Sequence, residues 1–183
     1  MPLLTSIAYI KNLKNNIIFI LTIATISCLS GCGASPRILQ YPVAPGGQSL
    51  NSSASELNPQ ISGKYIVFTT DRRGSQDVYL FDRINRKLID VPGLNSYEAI
   101  ASHPSISQDG KYIVFAASRQ GKMNIFLYDR ETRQSRNLTA NIQAEVRNPT
   151  ISADGSKIAF SSSINGQWDI RVYDRFGRPL NLP

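Results

Sequence analysis

An all-β fold of three four-stranded antiparallel blades of propeller type is what this chain predicts, and three observations predict it. The same unit of thirty-odd residues is written three times. The copies start about 45 residues apart, the period of a four-stranded blade and too long for a leucine-rich, ankyrin or tetratricopeptide unit. Each copy opens at a Pro (Pro59, Pro104, Pro149), passes a turn containing Ser and Gly, and runs into an alternating strand ending in Phe (Phe68, Phe115, Phe160). Beyond that Phe the copies stay in step without a gap. Gly74, Gly121 and Gly166 fall six residues on; Asp77, Asn124 and Asp169 fall nine on. Asp82, Asp129 and Asp174 fall fourteen on, each followed by Arg (Arg83, Arg130, Arg175).

The first thirty residues read as delivery rather than fold. Lys11 and Lys14 precede an uncharged run over 15–29, which has signal-peptide length and falls short of the roughly 20 apolar residues of a spanning helix. The run ends in Leu29-Ser30-Gly31-Cys32, and small residues before a lone Cys resemble the bacterial lipobox. That resemblance implies cleavage after residue 31 and acylation of Cys32, palmitate included, giving a lipoprotein held on a bilayer by its acyl chains. The alternative is an uncleaved amino-terminal anchor, against which Ser27, Ser30 and Gly31 argue. Gly33 follows Cys32 where the enterobacterial sorting rule would have Asp for inner-membrane retention, which implies an outer-membrane anchor facing the periplasm. Cys28 leaves with the signal, so the mature body offers no thiol for a disulfide, a metal or catalysis.

Net charge is +7, about +5 once Lys11 and Lys14 are gone. A solvated basic surface accounts for it, and an exported protein meets no chromosome, so no nucleic-acid partner is expected. Acidic partners in that compartment are lipid heads, wall polymer or protein.

Residues 32–57 are rich in Ser, Gly, Pro and Asn, which bury too little apolar surface to fold alone, and read as a lipidated tether with one candidate extra strand over 38–43. The blades follow over 58–93, 103–139 and 148–183, each a set of strands with period-two alternation bounded by Gly, Asp and Asn clusters. In blade one, Tyr65 to Thr70 puts Ile66 and Phe68 on one face. In blade two, Asp109-Gly110 supplies the positive φ of a tight hairpin turn, and Asp154-Gly155 repeats it in blade three. Blade one has shortened the turn to Ser62-Gly63-Lys64. Losing two residues keeps the register, whereas losing one would flip every side chain to the other face.

The string Pro-x-apolar-Ser-x-Asp-Gly-Lys, an aliphatic-x-Phe strand, Ser118 to Gly121, and then Asx-Ile with alternating apolar residues and Asp resembles the repeat of TolB-type propellers. It covers most of the mature chain. The resemblance implies a partial propeller, since that family has six blades and a separate amino-terminal domain where this chain has three repeats. Trp168-Asp169 lies at the wrong end of its strand for a WD-type signature.

Candidate chemistry is sparse. His103, the only histidine, occupies the slot of Asn58 and Asn148 before Pro. It reads as a polar cap on strand one rather than a metal ligand or catalytic base, which would require further ligands or an activated nucleophile. Asp109 and Asp154, with Asp82, Asp129 and Asp174, either hold a cation in oxygen-rich loops or close turns on backbone amides. Their strict repetition and their Arg or Lys neighbours favour the turns, and no metal or cofactor is expected. Arginines recur three apart in the hairpin between strands three and four: Arg83 with Arg86, Arg130 with Arg133, Arg175 with Arg178. They form a basic row that is either a solvated loop face or a docking surface for acidic protein or anionic polymer, since guanidinium forks match carboxylate and phosphate. Tyr97, Glu98 and Ile100, and Glu145 with Arg147, lie in the connections on the opposite face, where individual specificity can reside.

Three blades make an open arc, because closed propellers use four to eight. A two-fold homodimer would close six, blade three of each copy meeting blade one of the other. The expected function is a non-enzymatic scaffold or adaptor binding another envelope protein. The rivals are a small-ligand or polysaccharide binder and a hydrolase- or lyase-related remnant. Against the last stand the missing Gly-x-Ser-x-Gly elbow and the single His.

Overall fold

The computed structural model describes residues 49–96, 98–119 and 121–181. The signal, Cys32, most of the tether and the strand expected over 38–43 lie outside the described residues. Blade one comprises β1 (Glu56–Ser62), β2 (Tyr65–Thr70), β3 (Asp77–Asp82) and β4 (Lys87–Ile89). Blade two comprises β5 (Ala99–Ile106), β6 (Tyr112–Arg119), β7 (Lys122–Asp129) and β8 (Gln134–Asn137). Blade three comprises β9 (Val146–Ile151), β10 (Lys157–Ser162) and β11 (Asp169–Asp174). Within each antiparallel sheet, strands adjacent in sequence are adjacent in space.

Two features differ from the sequence expectation. The first strand of each blade starts ahead of its Pro, at Glu56, Ala99 and Val146, and carries a bulge at the Pro. Between Leu57 and Gln60, Ser102 and Ser105, and Arg147 and Thr150, the inner strand advances three residues while its partner advances two. Asn58, His103 and Asn148 sit in these bulges at φ of 49°, 48° and 53°. Asn and His tolerate that left-handed region better than most side chains, and the Pro that follows has no N–H to give the ladder. His103 is therefore an exposed mid-strand bulge residue rather than a cap before the strand.

The second difference is in blade three, whose fourth strand is reduced to a Tyr173–Pro179 bridge and one hydrogen bond from the Leu180 amide to the Val172 carbonyl (2.8 Å). Pro179 lies between that bond and the one from the Asp174 amide to the Arg178 carbonyl, at a position that donates nothing to β11, which is why a Pro is accommodated there.

The short turn of blade one behaves as register parity requires. Ser62 pairs with Tyr65 across it, while the Ser107 and Ser152 amides bond the Tyr112 and Lys157 carbonyls across turns two residues longer. Every blade thus keeps the same residues on the same face.

Blade two shows what those faces do. From β6, Ile113, Phe115 and Ala117 join Tyr65, Val67, Val78 and Leu80 of blade one in one apolar cluster. Tyr112, Val114 and Ala116 join Ile151, Ile158 and Phe160 of blade three in another. The strand β7 divides likewise: Phe126 and Tyr128 face blade one, Ile125 and Leu127 face blade three. A sheet apolar on both faces cannot be satisfied alone, and each such side chain brought out of water is worth about 1.5–3 kcal/mol.

At the tip of each joint a Tyr ring lies against the turn glycine of the next blade. A methyl group on Gly110 would come within 2.1 Å of Tyr65, and one on Gly155 within 2.6 Å of Tyr112. Both glycines also hold positive φ, 73° and 71°. Gly110→Ala is therefore expected to lower the unfolding free energy by roughly 2–4 kcal/mol, combining overpacking with left-handed strain. Gly121→Ala, at φ 78° with open space around it, should cost only about 1 kcal/mol. Urea unfolding of the two variants measures the difference, and equal losses would remove the ring contact as the cause.

Candidate functional site

The β3–β4, β7–β8 and post-β11 hairpins lie on one face with the β1–β2 turns, as the contacts of the first arginine in each pair establish. Arg83 Nη1 donates to the Gly63 carbonyl (2.9 Å), and Arg130 Nη1 donates to the Gly110 carbonyl (2.6 Å). The Arg130 guanidinium stands 5.3 Å over the Tyr65 ring, and that of Arg175 stands 5.7 Å over Tyr112. Arg130 and Arg175 thus cover the blade joints as cations over aromatic faces. The first arginines hold turns and joints as well as facing outward.

The second arginines differ from one another. Arg86 and Arg133 occupy left-handed positions at φ 51° and 59° and are exposed. In blade three the hairpin is one residue tighter: Gly177 takes the left-handed position (φ 87°), and the Asp174 amide bonds the Arg178 carbonyl (2.9 Å). Arg178 therefore stands where blades one and two have Lys87 and Gln134, paired across from Asp82 and Asp129. Its Nε meets Asp174 Oδ2 at 2.7 Å. Among the described residues, Arg86 and Arg133 make no ion pair, and they carry the outward charge of the row.

The aspartates are turn acceptors. Asp82 Oδ1 takes the Ile84 and Asn85 amides (2.8 and 3.0 Å), and Asp129 Oδ1 takes those of Glu131 and Thr132 (2.9 and 3.3 Å). Asp174 Oδ1 takes those of Phe176 and Arg178 (both 2.9 Å). In the other turn the buried Ser107 hydroxyl donates to Asp109 (2.6 Å) while accepting from the Tyr112 amide (3.0 Å), and Ser152 does the same with Asp154 and Lys157. The Ser107 and Lys111 donors hold the Asp109 carboxyl below the usual carboxylate range. The Ser152 hydroxyl, then the Ser156 amide and hydroxyl, hold that of Asp154 down at about 2. Among the described residues no group of three His, Cys, Asp or Glu side chains is placed to hold a metal.

The structure adds residues that the sequence reading passed over. An open cleft of about 400 Å³ on the arginine face is lined by Asp90, Val91, Pro92, Tyr128, Arg130 and Arg133, with the Tyr128 hydroxyl donating to the Pro92 carbonyl (2.7 Å). Beside the arginines, Ile84 and Phe176 project from the tips of the first and third hairpins, 72% and 53% exposed. An apolar residue two places after the repeated Asp was the available signal. On the opposite face Arg147, a residue of β9 rather than of a connection, stacks 3.7 Å over the Trp168 ring. Glu98 and Glu145 are exposed there too, whereas Tyr97 lies outside the described residues.

A carboxyl depressed in the folded state adds stability that is complete above its unfolded value of 3.8 and is lost as pH falls through about 2. Asp154→Asn should flatten the stability-versus-pH profile between those values, read by urea unfolding at stepped pH; an unchanged slope would contradict the hydrogen-bond set. At the bulge, His103→Asn should stay within about 0.5 kcal/mol of the parent, while His103→Val should lose roughly 1–2 kcal/mol, because a β-branched side chain resists positive φ.

No protein-family model matches the chain, and no curated protein sequence matches it. Solved structures do. TolB from Acinetobacter baumannii is 27% identical at a TM-score of 0.53, over 69% of this chain and 31% of that one. A protein described as TolB from Agrobacterium tumefaciens is 22% identical at 0.54, over 66% of this chain and 43% of that one. The β-propeller domain of the Trilobed protease from Pyrococcus furiosus matches at 16% identity and 0.53, over 70% and 42%. A puromycin hydrolase matches at 12% and 0.54, covering 20% of that enzyme. The chain thus spans less than half the length of any of these neighbours. Three antiparallel sheets packed in series, built from one repeated unit and matching TolB and other propellers in space, make this chain a partial TolB-like β-propeller.

Proposed function

We propose that this protein is a lipid-anchored envelope scaffold that binds an acidic protein partner through its arginine face and performs no chemistry of its own. The observation that carries the reading is the composition of that face. Arg86 and Arg133 stand exposed without ion-pair partners among the described residues, while the neighbouring Asp82 and Asp129 are committed to backbone amides. Exposed Ile84 and Phe176 lie in the same row of hairpins. Arginine interleaved with exposed apolar side chains is the make-up of protein interfaces, whereas a merely solvated loop face has no need of the apolar tips.

The likeness to TolB supports an envelope location, and the signal-like run ending at Cys32 supports export and acylation. The likeness to puromycin hydrolase is one of fold, over a fifth of that enzyme.

Two measurements test this. Expressed in a diderm bacterium, the chain should incorporate labelled palmitate and sediment with the outer membrane, and Cys32→Ala should abolish labelling; labelling that survives would sink the anchor. Site-specific cross-linking from the Ile84 position in intact envelopes should capture a discrete protein. Capture should fall at least tenfold in Arg86→Glu/Arg133→Glu and decline with added salt, as attraction between exposed charges does. Capture indifferent to both would overturn the arginine reading.

A further inference from the structure

We propose that two copies of this chain close head to tail into one six-bladed ring, the outer face of blade three of each packed on the outer face of blade one of the other. This does not rest on the arginine face. Equivalent positions in successive blades carry it.

Four positions face the following blade. They are Tyr65, Val67, Val78 and Leu80 in blade one, and Tyr112, Val114, Ile125 and Leu127 in blade two, all buried. In blade three the same positions are Lys157, Ala159, Ile170 and Val172, and Ile170 is 68% exposed. Four others face the preceding blade: Ile106, Ile113, Phe115 and Tyr128 in blade two, with Ile151, Ile158, Phe160 and Tyr173 in blade three. Their counterparts in blade one are Ile61, Ile66, Phe68 and Phe81. Ile61 is 58% exposed where Ile106 is 1% and Ile151 is 8% exposed, and Pro59 is exposed where Pro104 and Pro149 are buried. In register, Ile61, Ile66, Phe81 and Leu88 make an apolar row across all four strands of blade one. Phe68 and Phe81 are already buried within the chain, so the open part of this face is Ile61 and Pro59 with half-buried Ile66 and Leu88, and it and the face around Ile170 are the two halves of a blade joint.

The departures from the repeat say which halves meet. At each internal joint a Tyr ring sits against the Asp-Gly turn of the next blade, Tyr65 on Gly110 and Tyr112 on Gly155. Blade three has lost the Tyr, with Lys157 in its place. Blade one has lost the Asp-Gly turn, with Ser62-Gly63-Lys64 in its place. A ring in which blade three precedes blade one puts both losses at a single joint, where the missing ring has no turn to meet. A different protein at either end would leave each loss to be matched separately.

The inner strands repeat a latch as well. Gln60 Oε1 accepts the Ile106 amide (3.0 Å), and Ser105 Oγ accepts the Ile151 amide (3.3 Å). Thr150, the third member of that series, has a hydroxyl and is exposed, suited to the Ile61 amide of the second copy. A two-fold axis pairs these three blades with the three of the second copy through two identical joints, and six blades lies within the four to eight of closed propellers.

The test uses the full chain with Cys32→Ala, so that acyl chains drive no association, purified in non-ionic detergent and measured by light scattering after size exclusion. The expected result is a discrete species of twice the mass of one chain. Ile170→Asp and Ile61→Asp, both at exposed positions, should each halve that mass while melting remains cooperative. A monomeric parent would overturn the proposal. So would a dimer unchanged in both variants, or a series of ever larger species, which would mean an open head-to-tail chain.

Discussion

Face-to-face burial between successive sheets is the interaction on which everything else in this molecule depends. Each blade carries apolar residues on both faces of its strands, so no blade can satisfy itself, and the middle one is satisfied twice. Val114 and Ile113, neighbours on one strand, are both fully buried because they point into different joints. The period-two geometry of a strand makes this division automatic. It also makes register unforgiving, and the three inner strands keep it with the same bulge at Asn58, His103 and Asn148.

The polar repeat serves that packing before it serves any partner. Ser107 and Asp109, and Ser152 and Asp154, shape a turn whose glycine leaves room for the tyrosine of the preceding blade. Arg130 then closes over the same tyrosine while bonding the turn carbonyl. A repeated residue is thus explained most economically by what is repeated, the joint. The residues that escape this service are those that break the repeat or stand beyond it: Arg86 and Arg133 at the left-handed ends of their hairpins, Ile84 and Phe176 at the tips, Trp168 under Arg147 on the far side. A partner would meet these.

The same division explains the two ends of the arc. Blade one shows a backward face still apolar, and blade three a forward face in which Tyr has become Lys157 and Val has become Ala159. Charge at an end face limits indiscriminate edge and face association. The retained Ile170, Val172 and Ile61 leave a surface that one specific partner can still cover.

The repeat, its period, the all-β class and the turn chemistry are legible in the residues alone, because spacing and residue type specify a strand's period, a left-handed Gly and a Ser-Asp turn. The slot that His103 shares with Asn58 and Asn148 is legible too, though not that the slot is a bulge within a strand, since a bulge is defined only by the partner strand's register. The arginine row was legible as a spacing of three in each copy. Folding in three dimensions splits that spacing into two roles and one slip: Arg130 covers a joint, Arg133 faces solvent, and Arg178 is displaced by a hairpin one residue shorter. The cleft between Asp90, Tyr128 and Arg133 was likewise invisible, because its walls come from two blades whose approach is set by apolar faces rather than by anything local. Contacts within a strand pair are written in the chain; contacts between blades depend on how two faces meet, and that is fixed only when they pack.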